Sequence, residues 1–210
     1  MPGSCGSASR DQRGTTVRLQ HGETLDAHGN FTIAHLQFAW ESTRQEVRYT
    51  LKGDAEKVYT THFTFHSFRF VKVEEFPGKP RSEQFTGLAL YSDLPETGTF
   101  ECSDPPINRL QQNILWSQKS NFLEIPTDCP TRERAGWTGD IQIFAHTGSF
   151  LMQTTGFLSK WLKDLAMEQA ADGQVVNIVP ARPGKAARGI MGSMEGSAGY
   201  GDAAVHLLEW

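Results

Sequence analysis

The chain has 210 residues, 38% of them hydrophobic and 21% charged, with a formal net charge of −4. That size suits one or two domains with a true core. The slight acidity and the lack of basic runs argue against nucleic acid or a membrane surface as partner, and no apolar stretch reaches spanning length. Cys5, Cys102 and Cys129 have neither the pairing of a disulfide framework nor zinc-ligand spacing. No metal or other cofactor is expected, and a reducing cytoplasm fits best.

Residues 1–13 are rich in glycine, serine and charge and read as a disordered lead-in. From residue 14 to about Cys102 the signals are those of strands. Val17, Leu19 and His21 alternate with polar neighbours, and residues 26–30 supply a turn. Val47, Tyr49 and Leu51 alternate again. The longest candidate runs from Val58 to Glu74, with apolar side chains on both faces near its middle, as a central or bulged strand would have. A further strand covers residues 84–92. Several short strands with turns between them predict an antiparallel β-sandwich.

The pattern changes at Ser103-Asp104-Pro105, a helix start with a capping residue and proline at the first helical position. Ile107, Leu110, Ile114 and Leu115 recur at helical spacing to about Ser120. A second helix, capped by Thr138, carries Ile141, Phe144, Ala145, Gly148, Leu151 and Met152 on one stripe. Phe157, Leu158, Trp161, Leu162 and Leu165 mark a third. Residues 181–201 are glycine-rich, and a short helix is expected over 202–209. The fold class is thus an antiparallel β-sandwich, residues 14–102, followed by α-helical hairpins, residues 103–210.

The segment Asp128–Asp140 packs three carboxylates, two guanidinium groups, an indole and two glycines between helices. Irregular segments of this kind carry chemistry more often than cores do. Glu133 has the reach to protonate a leaving-group oxygen. Asp140 falls at a helix N-terminus, whose free amides favour its anion. Trp137 offers a flat face of the sort that packs on sugar rings, and Arg132 can grip oxygens with paired donors. An acid, an anion, an aromatic platform and an arginine are parts of a glycosidase pocket. Other constellations are weaker. His62 and His66 share a strand face without a third ligand, so packing or hydrogen bonding is the better reading. The glycine-rich segment lacks a phosphate-loop ending, and Cys129 has no histidine beside it to raise its nucleophilicity.

The motifs Asp128-Cys129-Pro130-Thr131-Arg132-Glu133 and Gly136-Trp137-Thr138-Gly139-Asp140 resemble those of the α-L-rhamnosidases, glycoside hydrolase family 78. His66-Ser67-Phe68-Arg69-Phe70-Val71, Asn177-Ile178-Val179-Pro180 and Ser197-Ala198-Gly199-Tyr200-Gly201-Asp202 extend the match over nearly the whole chain. The resemblance implies a β-sandwich before an (α/α)₆ barrel, and inverting hydrolysis of terminal non-reducing α-L-rhamnose from glycosides or polysaccharides. It implies Glu133 as general acid, with Asp128, Arg132, Trp137, Asp140 and Tyr200 holding the sugar. Tyr200 stands where family members commonly have tryptophan. The family's general base is a glutamate further along the barrel, so the chain is expected to be the front part of such an enzyme. Glu195 is a poor substitute because loop acids are seldom preorganised. Two alternatives stand beside this reading. One is a non-catalytic carbohydrate-binding or interaction fragment. The other is a piece that folds only with the rest of the barrel or as a homo-oligomer.

Overall fold

The structure is a computed structural model that describes residues 4–8, 13–37, 44–53, 57–181 and 196–207. The chain divides into two compact units, residues 1–90 and 91–210.

The first unit is a β-sandwich of two three-stranded antiparallel sheets. In one, β2 (Thr16–Gly22) lies between β5 (Glu46–Thr50) and β7 (Phe70–Glu74). Register sets Leu19 opposite both Val47 and Val73. In the other, β1 (Ser4–Ala8) lies between β6 (Lys57–Tyr59) and β8 (Phe85–Gly87). A two-stranded ribbon, β3 (Thr24–Leu25) with β4 (Phe31–Thr32), closes the turn at residues 26–30. The alternating positions of β2 and β5 turn inward as expected. Val17, Leu19, Val47 and Leu51 are buried, and Val71 and Val73 of β7, Tyr59 of β6 and Phe85 of β8 pack on them.

Two expectations change here. Residues 4–8, assigned by composition to the lead-in, form the central strand of the second sheet. Its sequence, Ser-Cys-Gly-Ser-Ala, has no apolar alternation to read, and strands pair through backbone groups that every residue carries. The expected strand Val58–Glu74 is not continuous. β6 belongs to one sheet and β7 to the other, and the chain crosses between them. Phe63 adopts a φ of 61° and is fully exposed. His66 and Phe68 turn inward instead, their rings 4.7 Å and 4.9 Å from that of His21.

His66 is buried with Nδ1 2.6 Å from Gln45 Oε1, while His62 is exposed beside Phe63. Packing and hydrogen bonding therefore account for this pair. His21 has 1% of its surface exposed, and that burial lowers its pKa against a smaller opposing effect of the Gln45 carbonyl. A histidine held neutral in the fold gives no pH dependence above its unfolded value of about 6.5. As pH falls through that value, the unfolded chain takes up the proton first and stability drops. The melting temperature is expected to fall between pH 7.5 and 5.5, and His21→Phe should flatten that slope. An unchanged slope in the variant would assign the effect to other groups.

The second unit is helical. Asp104 occupies the cap position and Pro105 opens α1 (Pro105–Asn121), which runs to a tight pair, β9 (Phe122–Leu123) and β10 (Ile125–Pro126). α2 (Thr138–Leu151) and α3 (Thr155–Glu168) follow. Their apolar stripes meet in one core with Phe122, Ile141, Ala145, Phe157, Leu158 and Trp161, closed by Val179, Ala203 and Leu207. The Phe122 and Phe157 rings stack at 4.6 Å.

The unit begins at Tyr91, earlier than the change of pattern at Ser103, because residues 92–97 are tied to partners within the helical unit. Ser92 N–H donates to Phe122 O, Thr97 N–H to Leu151 O, and Lys119 pairs with Glu96 at 2.9 Å. The expected strand over 84–92 accordingly stops at Gly87. The helix expected over 202–209 is instead two single turns, Ala198–Gly201 and Ala203–His206, and residues 208–210 lie outside the described residues. Of the glycine-rich segment, residues 182–195 lie outside them too, Glu195 included.

Candidate active site

The Asp128–Asp140 segment is closed at two points. Asp128 N–H donates to Ala135 O, and Ala135 N–H donates back to Asp128 Oδ1, both at 3.0 Å. Arg134, at a φ of 50°, makes the return. Inside this ring Cys129 Sγ accepts the Glu133 N–H at 3.2 Å. Burial, and next the Asp128 side chain, push the Cys129 thiol up. That disfavours a thiolate and fits a bonding role better than a nucleophilic one.

The second half of the segment is a short antiparallel ladder. Val179 N–H donates to Gly136 O at 2.8 Å, Trp137 bridges Ile178, and Thr138 N–H donates to Asn177 O at 2.9 Å. The ladder leaves no space for a side chain at residue 136, where a Cβ would collide with the Val179 carbonyl oxygen. It also explains a departure from expectation. Thr138 is the first residue of α2 and Trp137 holds the cap position, because the Thr138 hydroxyl donates to Asn177 O. Asn177 Oδ1 in turn accepts the Ser197 N–H at 3.0 Å, fixing the residues before Tyr200.

Arg132 and Trp137 both donate to the Glu133 carboxylate. Arg132 Nη2 lies 3.1 Å from Oε1, and the indole Nε1–H of Trp137 donates to Oε2 at 3.0 Å. Trp137 meets the Tyr200 ring edge-on at 5.7 Å. The Tyr200 ring lies over Gly139, where a Cβ would come within 2.8 Å of it. The structure therefore brings Glu133, Arg132, Trp137 and Tyr200 into one contiguous group. Asp140 sits in the first turn of α2 as expected, yet its pKa is raised and not lowered. Burial is the main cause, followed by the charges of Asp128 and Glu133, and its own backbone N–H only partly offsets them.

Asp128 and Asp140 also border a pocket of about 300 Å³ between α1 and α2. Gln118 and Asn121 of α1 and Ile143 and Phe144 of α2 are among its other walls. Glu133, Arg132, Trp137 and Tyr200 stand outside that lining. Among the described residues, no group of three or more histidine, cysteine or acidic side chains is suited to hold a metal.

Sequence reasoning did not single out Gln118 or Asn121, which read only as polar positions on an amphipathic helix. The two glycines of Gly-Trp-Thr-Gly were the available signal for close approach. Each proves to face a fixed group, Val179 O for Gly136 and the Tyr200 ring for Gly139.

A β-sandwich followed by amphipathic helices, with acids and an indole gathered before α2, fits a glycosidase built on helical hairpins. Residues 95–208 match the bacterial alpha-L-rhamnosidase 6 hairpin glycosidase domain, and residues 3–91 the bacterial alpha-L-rhamnosidase concanavalin-like domain. The chain belongs to the bacterial α-L-rhamnosidase family.

Among its relatives is an alpha-L-rhamnosidase of Streptomyces avermitilis, 44% identical over 98% of this chain and 19% of that protein. Another, from Formosa agariphila, is 30% identical over 94% of this chain and 20% of its own length. The chain thus spans about a fifth of the curated relatives it matches. The crystal structure of the S. avermitilis enzyme complexed with L-rhamnose superposes with a TM-score of 0.87 at 42% identity, covering 98% of this chain and 19% of that one. The native enzyme of Aspergillus terreus gives 0.82 at 33% identity, over 98% and 23%.

Proposed function

We propose that this chain supplies the acid and the sugar-gripping residues of an α-L-rhamnosidase active site. The reaction is inverting hydrolysis of terminal non-reducing α-L-rhamnose from glycosides or polysaccharides. Glu133 is the general acid and protonates the glycosidic oxygen as the bond to the anomeric carbon breaks. Asp128 and Asp140 accept sugar hydroxyls, Arg132 donates to substrate oxygens, and Trp137 with Tyr200 forms an apolar wall. The observation that carries the reading is the setting of Glu133, whose carboxyl is held by the Arg132 guanidinium and the Trp137 indole N–H in the loop that also holds Asp128. Inversion needs a second carboxylate, about 6.5–9.5 Å away, to activate water. By resemblance, that carboxylate is a glutamate further along the barrel.

The test is hydrolysis by the purified chain of p-nitrophenyl α-L-rhamnoside and of a rhamnosyl disaccharide. Glu133→Gln is expected to lower turnover of the disaccharide about 10²–10⁴-fold, the usual scale of general acid catalysis. The loss should be smaller for nitrophenolate, a leaving group that needs little protonation. Equal losses on both substrates would mark Glu133 as structural. If the chain binds L-rhamnose without turning over either substrate, and Trp137→Ala removes that binding, the chain is a carbohydrate-binding piece instead.

A further inference from the structure

The motif Asn177-Ile178-Val179-Pro180 supplies neither the acid nor a sugar contact, yet Asn177 bonds to both segments that carry the aromatic wall. On one side its main-chain oxygen accepts from Thr138, the residue after Trp137, through the N–H at 2.9 Å and the hydroxyl at 3.2 Å. On the other its side-chain Oδ1 accepts from Ser197, through the N–H at 3.0 Å and the hydroxyl at 3.4 Å. Ser197 caps the turn Ala198–Gly201, and its carbonyl takes the N–H groups of Tyr200 and Gly201 at 3.1 Å and 2.8 Å. A single helical turn does not hold its own shape, because the first turn fixes several residues for one hydrogen bond. The direction of the Tyr200 ring therefore depends on what grips Ser197. The neighbouring contacts keep the same register. Gln174 Nε2–H donates to Gly196 O at 3.3 Å, and a Cβ at residue 196 would collide with Val175 O.

We propose that Asn177 is a positioning residue whose Oδ1 seats the Tyr200 turn against Trp137 and so sets the two-ring wall. Its main chain is fixed by Thr138, and its side chain has two torsions, which makes it a short and stiff link between the rings. Trp137 and Tyr200 meet edge-on at 5.7 Å as a result. Asn177 itself touches no sugar and acts through Ser197 and Tyr200. The assignment of this wall to a sugar rests on the reading of the chain as rhamnosidase-type, whereas the link between the rings does not.

The link is tested first without sugar. Trp137 is one of five tryptophans, and its indole Nε1–H signal in a nitrogen–proton NMR spectrum is identified by its loss in Trp137→Phe. Tyr200→Ala removes the neighbouring ring and should move that signal. Asn177→Leu, which keeps the shape and loses the acceptor, should move it in the same direction. Asn177→Asp keeps the acceptor and should restore the wild-type position. If Asn177→Leu does not fold, Asn177→Ala is read in the same way. Titration with L-rhamnose comes second. Asn177→Leu should bind about 3–10-fold more weakly than wild type, the scale of one hydrogen bond, and Asn177→Asp should bind as wild type does. In a Tyr200→Ala background the same Asn177→Leu change should cost nothing further, since the two residues act as one unit. An unmoved Trp137 signal in Asn177→Leu overturns the proposal, as does an equal loss of rhamnose affinity in both backgrounds or no loss in either. If the signal moves as expected but the wild-type chain binds no L-rhamnose, the link between the rings stands and the rhamnosidase reading of the wall falls.

Discussion

Gly136→Ala is expected to unfold the acid-bearing loop from its support and to lower the melting temperature by several degrees. The added Cβ would collide with Val179 O, lie 3.1 Å from that carbonyl carbon, and stand 3.4 Å from Trp161 Nε1. None of these can swing away as a flexible side-chain end would. Two are backbone atoms in a ladder, and the third is a fully buried indole. Relief therefore means separating residues 136–138 from residues 177–179. Overpacking of a tight core typically costs about 1–3 kcal/mol. For a chain of this size each kcal/mol shifts the melting temperature by about 2–4 °C. The functional loss should exceed the thermal one. Trp137 and Thr138 are carried by that ladder, and the Trp137 indole holds the Glu133 carboxyl. A displacement of about 1 Å at a reacting group can cost about 10²-fold in rate. Calorimetry and a rhamnose titration on the same sample check both parts. A variant that melts and binds as the wild type would show that the loop does not depend on this approach.

The same ladder shows what was legible in the sequence. The residue types of the site can be read directly, because an acid, an arginine and an indole within a few positions share a loop whatever the tertiary structure. So can the sandwich core at Val17, Leu19 and Val47, since a period of two is itself a record of burial. What failed depended on distant partners. The raised pKa of Asp140 comes from burial and from two other acids, and local helix logic has no access to either. The break in the Val58–Glu74 run follows from which sheet each end joins, and alternation is the same in both. β1 has no apolar alternation in its sequence. The buried amide of Gln118 is set by Gly148, thirty positions away in the sequence, which leaves space for it and accepts its Nε2–H.

Trp161→Ala is expected to be among the most destabilising single changes in the helical unit, and comparison with Trp161→Phe resolves why. Trp161 is completely buried among Phe122, Ile141, Phe157, Leu158 and Leu165. Truncation of a core tryptophan to alanine costs about 3–5 kcal/mol in lost transfer energy and cavity formation. A second contribution is polar. The indole Nε1–H donates to Val179 O at 3.2 Å, and Val179 itself is fully buried. Phenylalanine keeps most of the packing and removes only this donor, so its cost should be about 1–3 kcal/mol, the penalty of a buried carbonyl left with less bonding. Both variants also loosen the strand that supports Gly136 and Trp137. Rhamnose affinity should therefore fall in Trp161→Phe although no sugar contact is assigned to Trp161. Denaturant melts of the two variants give the two free energies. If Trp161→Phe is as stable as wild type and binds rhamnose equally well, the indole hydrogen bond does not position the loop, and packing alone accounts for this tryptophan.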